Sequence, residues 1–247
     1  MTWEVVIDSP LDRYLFLDPI REAQQGRSPR TANDEAGSMA GWLDAWQPED
    51  GPLIAARQRA AEAGVDCVDP TTGAALRFLA AAASARAVVE FGTGAGVSAL
   101  WLLRGMRPDG ILTSVDAEPE HHRLAKQMLT EAGVPAGRVR LIGGRALEVA
   151  ARLTDGAYDL VVCDADRAQN ADYLSAALRL LRVGGLVVFI GALNGGTVAE
   201  PTARDADTLA LRDLGRIVRE ESRLVPAMFP IGAGLLVAAL VEAPVHL

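Results

Sequence analysis

The sequence predicts one α/β domain: a mostly parallel sheet of seven strands with an antiparallel last strand, covered by helices on both faces. Short apolar runs alternate with amphipathic helical segments from residue 87 onward, and parallel strands joined by short crossovers need helices to carry the chain back. The two final apolar runs stand only a few residues apart, which is hairpin spacing. A length of 247 residues suits one large domain better than two small ones.

Residues 1–38 stand outside this pattern. TWEVVIDSPLDRYLFLDPI has apolar content, but residues 21–38, REAQQGRSPRTANDEAGS, are polar and rich in breakers, and read as a flexible linker. An N-terminal extension over 1–38 and a folded domain over 39–247 are therefore expected. Trp42 and Trp46, four apart, suit one face of a short helix near the mouth of a site or at a subunit contact, with plain packing equally open. LIAARQRAAEA from Leu53 reads as a helix stopped at Gly64, and Thr72–Ala83 as an alanine-rich second helix. Five strand–helix units follow. AVVEF (87–91) precedes helix SALWLLRGM, ILTSVD (111–116) precedes PEHHRLAKQMLTEA, and VRLI (139–142) precedes ALEVAARL. YDLVVCD (158–164) precedes ADYLSAALRLL, and GGLVVFI (184–190) precedes a helix from about Asp205 to Glu220. RLVPAMFP and GLLVAALV close the chain as the hairpin, around Ile231, Gly232 and Ala233.

A net charge of −8 argues against a nucleic-acid surface, because neutralising phosphates takes clustered Lys and Arg. Lys126 is the only lysine, which removes lysine from nearly every catalytic argument. Cys67 and Cys163 have neither zinc nor redox-pair spacing, so a cytoplasmic, reducing setting is expected. Glu4 and Asp8 come early with no basic start before an apolar run, so no signal peptide is expected. The run Ile231–Val241 is broken by Gly232 and Gly234 and is too short to span a membrane.

In open parallel sheets ligands bind beyond the carboxyl ends of the strands, where strand order reverses. Here those ends carry Glu90-Phe91-Gly92-Thr93-Gly94-Ala95-Gly96, Asp116, Gly143-Gly144, Asp164 and Ile190-Gly191. Gly92, Gly94 and Gly96 allow a tight turn and close approach to a ligand, and the following helix offers free N–H groups to an anionic end. The spacing is G-x-G-x-G, with Val97 where a dinucleotide fingerprint needs glycine, so a nicotinamide-dependent oxidoreductase fits less well. Asp116 is placed to accept from a ribose diol, or to start a helix, and both can hold.

VVEFGTGAGVSALWL, LTSVDAEPEHHRLAKQMLTEAGV, LVVCDADRAQNADYL, LRLLRVGGLVVFIGAL and PIGAGLLVA occur in this order between about Leu53 and Val241. Together they resemble the class I S-adenosylmethionine-dependent methyltransferases, and within them the catechol O-methyltransferase-like family, O-methyltransferase family 3. The resemblance implies a Rossmann-like fold, S-adenosyl-L-methionine as cofactor, a small hydroxylated methyl acceptor and a homodimer. It also assigns roles. Val68 should lie along the methionine part, Gly92 and Ser98 at its amino-acid end, Asp116 at the ribose, and Arg145 and Ala146 at the adenine. Glu90, Thr93, Gly94, Gly96 and Gly144 complete the cofactor set. Asp164 should sit near the methyl group, serving both cofactor and catalysis.

The chain departs from that family at one place. The family holds a divalent cation with the aspartate after strand four and an Asp-Asn pair ending strand five, where this chain has Ile190 and Gly191. Neither offers a side-chain oxygen, which hard cations require, so no divalent metal is expected, with Asp166 and Asn194 as the remaining conceivable ligands. The family's lysine three residues after the first aspartate is here Arg167, which cannot act as a base but can hold an acidic substrate or a phenolate. Asp164 and Arg167 are thus the catalytic candidates. Two readings follow: a metal-independent O-methyltransferase, or a degenerate S-adenosylmethionine-binding sensor or partner protein. His121 and His122 read as solvated, Cys163 as core, and Trp101 as packed between helix and sheet.

Overall fold

The computed structural model describes residues 39–242. The expectations for residues 1–38 lie outside them. Two compact units divide the chain between Trp42 and Leu43, and the second carries the sheet. Helix α1 (Met39–Trp46) includes Trp42 and Trp46, both exposed.

Two capped helices precede the sheet. Asp50 accepts from Leu53 N–H at the start of α2 (Gly51–Glu62), and Asp69 accepts from Thr72 N–H at the start of α3 (Pro70–Ala82). Each has proline in its first turn, where a missing N–H costs nothing. The repeating units then run β1 (Ala87–Phe91), α4 (Val97–Gly105), β2 (Ile111–Asp116), α5 (Pro119–Glu131), β3 (Val139–Gly143), α6 (Ala146–Ala150), β4 (Tyr158–Cys163), α7 (Asn170–Leu180), β5 (Leu181–Ile190) and α8 (Ala206–Glu220). The chain closes on β6 (Leu224–Phe229) and β7 (Leu235–Leu240).

The seven strands order as β3-β2-β1-β4-β5-β7-β6, and β7 runs antiparallel to both neighbours. The predicted sheet and its closing hairpin are therefore present. Alternation along each strand sends Val88, Leu112, Leu160 and Val188 into one apolar layer, and Val89, Val115, Val161 and Val187 into the other. Strand order reverses between β1 and β4, which locates the ligand crevice above those two strands.

Two elements differ from expectation. Strand β5 begins at Leu181, not Gly184, because Leu181 pairs with Tyr158 ahead of a register shift. Helix α6 ends at Ala150, and the Arg179 guanidinium takes the Ala150 and Leu153 carbonyls that a longer helix would keep. Trp101 is fully buried in the layer that holds Val88 and Leu112 of the sheet, with its indole against α3: a Cβ added at Gly73 would stand 2.2 Å from its Nε1.

Candidate active site

Gly92 opens the crevice. At φ +97° it occupies the left-handed region, and a Cβ there would stand 1.9 Å from the Asp164 carbonyl oxygen, so no other residue fits without moving β4. Asp116 then ties the loop to β2. Its Oδ2 accepts from the N–H groups of Thr93 at 3.0 Å and Gly94 at 2.9 Å, and Oδ1 accepts from Glu118 N–H at 2.9 Å. Asp116 thus braces the turn into α5, as its helix-start reading expects, while also lining the crevice. Gly96 has another role: it starts α4 at φ +87°, and a Cβ there would meet Ala125 of α5 at 3.2 Å. It serves the packing of two helices and is not on the crevice wall.

Glu90 also lies off the wall, beneath the loop. It pairs in register with Ser114, whose hydroxyl donates to Oε2 at 2.5 Å, and Thr93 and Ser114 hydroxyls stand 2.7 Å apart. Burial pushes its carboxyl up to about 7, against the Ser114 and Ser98 hydroxyls that favour the ionised form. Oε1 is buried and has no hydrogen-bond partner. An orphaned acceptor under a ligand loop is a specific anomaly, because unpaired buried oxygens cost free energy.

The crevice is a cavity of about 560 Å³. One side is the turn between α2 and α3, with Asp66, Cys67 and Val68; the other is the loop from Gly92 to Ser98. Arg57 holds the first side: its Nη1 donates to the Val68 carbonyl at 2.7 Å and to Cys67 Sγ at 3.2 Å, while Glu49 grips Nε and Nη2 at 2.8 and 2.6 Å. A second cavity of about 320 Å³ shares Gly92, Asp116, His121 and Asp164 with the first, and is lined by Gly144, Arg145 and Ala146. The sequence candidates therefore converge, except for Glu90 and Gly96. His121 is the residue that sequence reasoning missed. It lines both cavities, and its Nδ1 lies 3.2 Å from Asp116 Oδ2; its place in the first turn after the Asp116 strand end was the available signal.

At the far end Asp164 opens onto the cavity and is solvent-exposed there, with protein packed round the base of its carboxyl. That packing pushes its carboxyl up to about 6, with Arg167 opposing the rise and Asp66 adding to it. Arg167 Nη1 donates to Asn194 Oδ1 at 2.8 Å and Asp207 Oδ2 at 3.0 Å. Its guanidinium lies beside Gly191, which is at φ +72°; a Cβ there would stand 3.1 Å from Nη2. The last hairpin closes this wall, as Ala192 and Leu193 N–H groups donate to the Gly234 and Ala233 carbonyls at 3.0 Å each.

The residues present do not fit the divalent cation that the resemblance implied. Asp166 instead caps the turn into α7, accepting from Ala168 N–H, and Asn194 is committed to Arg167, Thr197 and Thr208. Among the described residues no group of three or more His, Cys, Asp or Glu side chains is placed to hold an ion.

A seven-stranded sheet with an antiparallel last strand, a glycine loop after β1 and an acid after β2 define a Rossmann-like methyltransferase. Comparison with known proteins agrees. The O-methyltransferase family model matches residues 48–241. A Mycobacterium avium protein named as an O-methyltransferase is 48% identical over 209 residues, covering 85% of this chain and 94% of its own. Another so named from Mycobacterium tuberculosis is 51% identical over 190 residues, covering 77% and 85%. Among solved structures, the Streptomyces achromogenes O-methyltransferase TomG, involved in tomaymycin synthesis and determined with S-adenosylmethionine, superposes with a TM-score of 0.77 at 28% identity, covering 86% of this chain and 100% of its own. The chain belongs to the O-methyltransferase family and is an S-adenosylmethionine-dependent enzyme.

Proposed function

We propose that this enzyme methylates a hydroxyl of a small, acidic or phenolic acceptor without a divalent metal, and that Asp164 and Arg167 act at the reacting oxygen. The observation that carries the reading is the Arg167 guanidinium beside Gly191, at the strand end where relatives are expected to place ion ligands.

The cavities have the chemistry to hold S-adenosyl-L-methionine. Its ammonium would complement the orphaned Glu90 oxygen through the loop, and Ser98 with the first N–H groups of α4 would take its carboxylate. Val68, Thr93 and Gly94 would flank the methionine part; Asp116 would accept from the ribose, and Gly144, Arg145 and Ala146 would border the adenine. When bound, S-adenosylmethionine supplies a methyl group that leaves its sulfonium sulfur for the acceptor oxygen, the S–C bonding pair staying on sulfur. Asp164 takes the hydroxyl proton, and a carboxyl raised to about 6 is ionised at neutral pH while remaining a better base than an ordinary aspartate. Arg167 stabilises the negative charge on the acceptor.

The two cysteines are free, which supports a reducing, cytoplasmic setting. No helix among the described residues is long and apolar enough to cross a membrane. A homodimer is the assembly the family likeness favours.

The test is turnover on an accepted substrate before and after EDTA, then with magnesium restored. Activity that survives chelation and is lost in Asp164→Asn is expected; loss that magnesium rescues overturns the metal-free reading.

A further inference from the structure

We infer that the Nε–Nη2 edge of Arg167 is a carboxylate seat, so that the acceptor is a hydroxy acid docking its carboxylate there beside the hydroxyl to be methylated. This deepens the proposed function and rests on it for the chemistry, but the binding geometry stands on its own observations.

Arg167 Nη1 is engaged by both Asn194 and Asp207. Among the described residues Nη2 and Nε make no hydrogen bond. These two N–H groups point the same way from one edge of a planar guanidinium and match the two oxygens of a carboxylate, a pairing that lysine cannot reproduce. The edge is kept clear by the absence of a side chain at Gly191: a Cβ would lie 3.1 Å from Nη2 and 3.9 Å from Nε. Arg167, Gly191 and Asp164 border the same cavity, so an anion held on this edge stands next to the proton acceptor.

The guanidinium plane is fixed from behind. Asn194 Nδ2 donates to the Thr197 and Thr208 hydroxyls at 2.9 and 3.2 Å, and those hydroxyls stand 2.8 Å apart. Asn194 itself sits at φ +47°, a left-handed conformation uncommon outside glycine, which orients its amide toward Arg167. Asp207 offsets part of the charge, but it is solvent-exposed and screened, whereas a bond on the free edge is directional. Carboxylate is favoured over phosphate because Asp164 and Asp66 line the same cavity, and a singly charged group meets less repulsion there than a dianion.

The experiment is calorimetric titration of the protein saturated with S-adenosylhomocysteine, using 2-hydroxybenzoate, benzoate, phenol and inorganic phosphate as probes. Both carboxylates should bind, with phenol and phosphate at least about tenfold weaker. Arg167→Lys should weaken both carboxylates by about tenfold or more while S-adenosylhomocysteine still stabilises the variant against heat. Gly191→Ala should weaken them similarly with the charge intact; if that variant does not fold, Arg167→Lys decides alone. Equal binding of phenol, tighter binding of phosphate, indifference to Arg167→Lys, or no carboxylate binding at millimolar concentration overturns the inference. Carboxylate binding as expected in an enzyme whose turnover needs magnesium would leave the seat standing and defeat the metal-free mechanism; metal-free turnover with binding indifferent to Arg167 would do the reverse.

Discussion

Glu90 is a carboxyl shut into an apolar layer, where burial raises it to about 7. Between the ordinary glutamate value and that point the folded chain holds a proton that the unfolded chain has released. Stability from this group is thus complete at low pH and falls as pH rises to about 7. Glu90→Gln removes the titration and keeps the shape. The free energy of unfolding near neutral pH should rise by about 1–2 kcal/mol, since each tenfold change in proton affinity is worth ~1.4 kcal/mol and an amide N–H₂ without an acceptor takes part of that back. Urea titrations at acid and neutral pH measure both the rise and the flattened pH dependence. The same variant should bind S-adenosylmethionine more weakly if the orphaned oxygen serves its ammonium, so that stability and affinity move in opposite directions. At Asp164 the expected signature is kinetic: kcat/KM climbs with pH as the carboxyl ionises, with a midpoint near about 6. A pH–rate profile flat through that region would remove Asp164 from proton transfer.

Helices α3 and α4 approach closely because glycine faces tryptophan. The Gly73 position has no room for a methyl group against the Trp101 indole, and a Cβ at Gly105 would stand 2.1 Å from the Arg77 carbonyl oxygen. Gly73→Ala should therefore destabilise by about 1–3 kcal/mol through overpacking, outweighing the ~1 kcal/mol that alanine gains over glycine in a helix; the midpoint of chemical denaturation reads the net sign. Arg57 does comparable work for the site, as it spans from Glu49 to the Val68 carbonyl. Arg57→Ala should raise the Kd for S-adenosylhomocysteine with a smaller effect on kcat, because the turn it braces lines the cavity at the side proposed for the methionine part. Elements were read from the sequence where periodicity is strong: β1 and β2 have the predicted bounds, as apolar runs ending in glycine or aspartate. The short α6 was not, because its end is set by Arg179 reaching from another helix, a tertiary contact that no local pattern records. In the site, Gly92, Asp116 and Asp164 were legible because strand ends in parallel sheets are where ligands bind. Asp66 and Cys67 were not, since their place opposite the glycine loop depends on how α2 and α3 pack, and their neighbour Val68 was reached only through the family resemblance.

At the scale of the whole molecule, the family match begins at residue 48, and among the described residues the packed layers begin with α2. Removal of residues 1–38 is expected to leave a protein that folds and is stabilised by S-adenosylhomocysteine; a large drop in melting temperature would show that the segment packs on the core or on a second subunit. The order of the sheet has a further consequence, for synthesis. Strand β7, last in the chain, lies between β5 and β6, and the carbonyls of the residues just before it accept from the Ala192 and Leu193 N–H groups. On a ribosome, the cavity residues from Gly64 to Asp164 emerge well before this insertion can occur, and long-range pairing of this kind is slow to form. Insertion of this one strand is therefore the late step that completes the cavity wall carrying Ile190, Gly191 and Ala233.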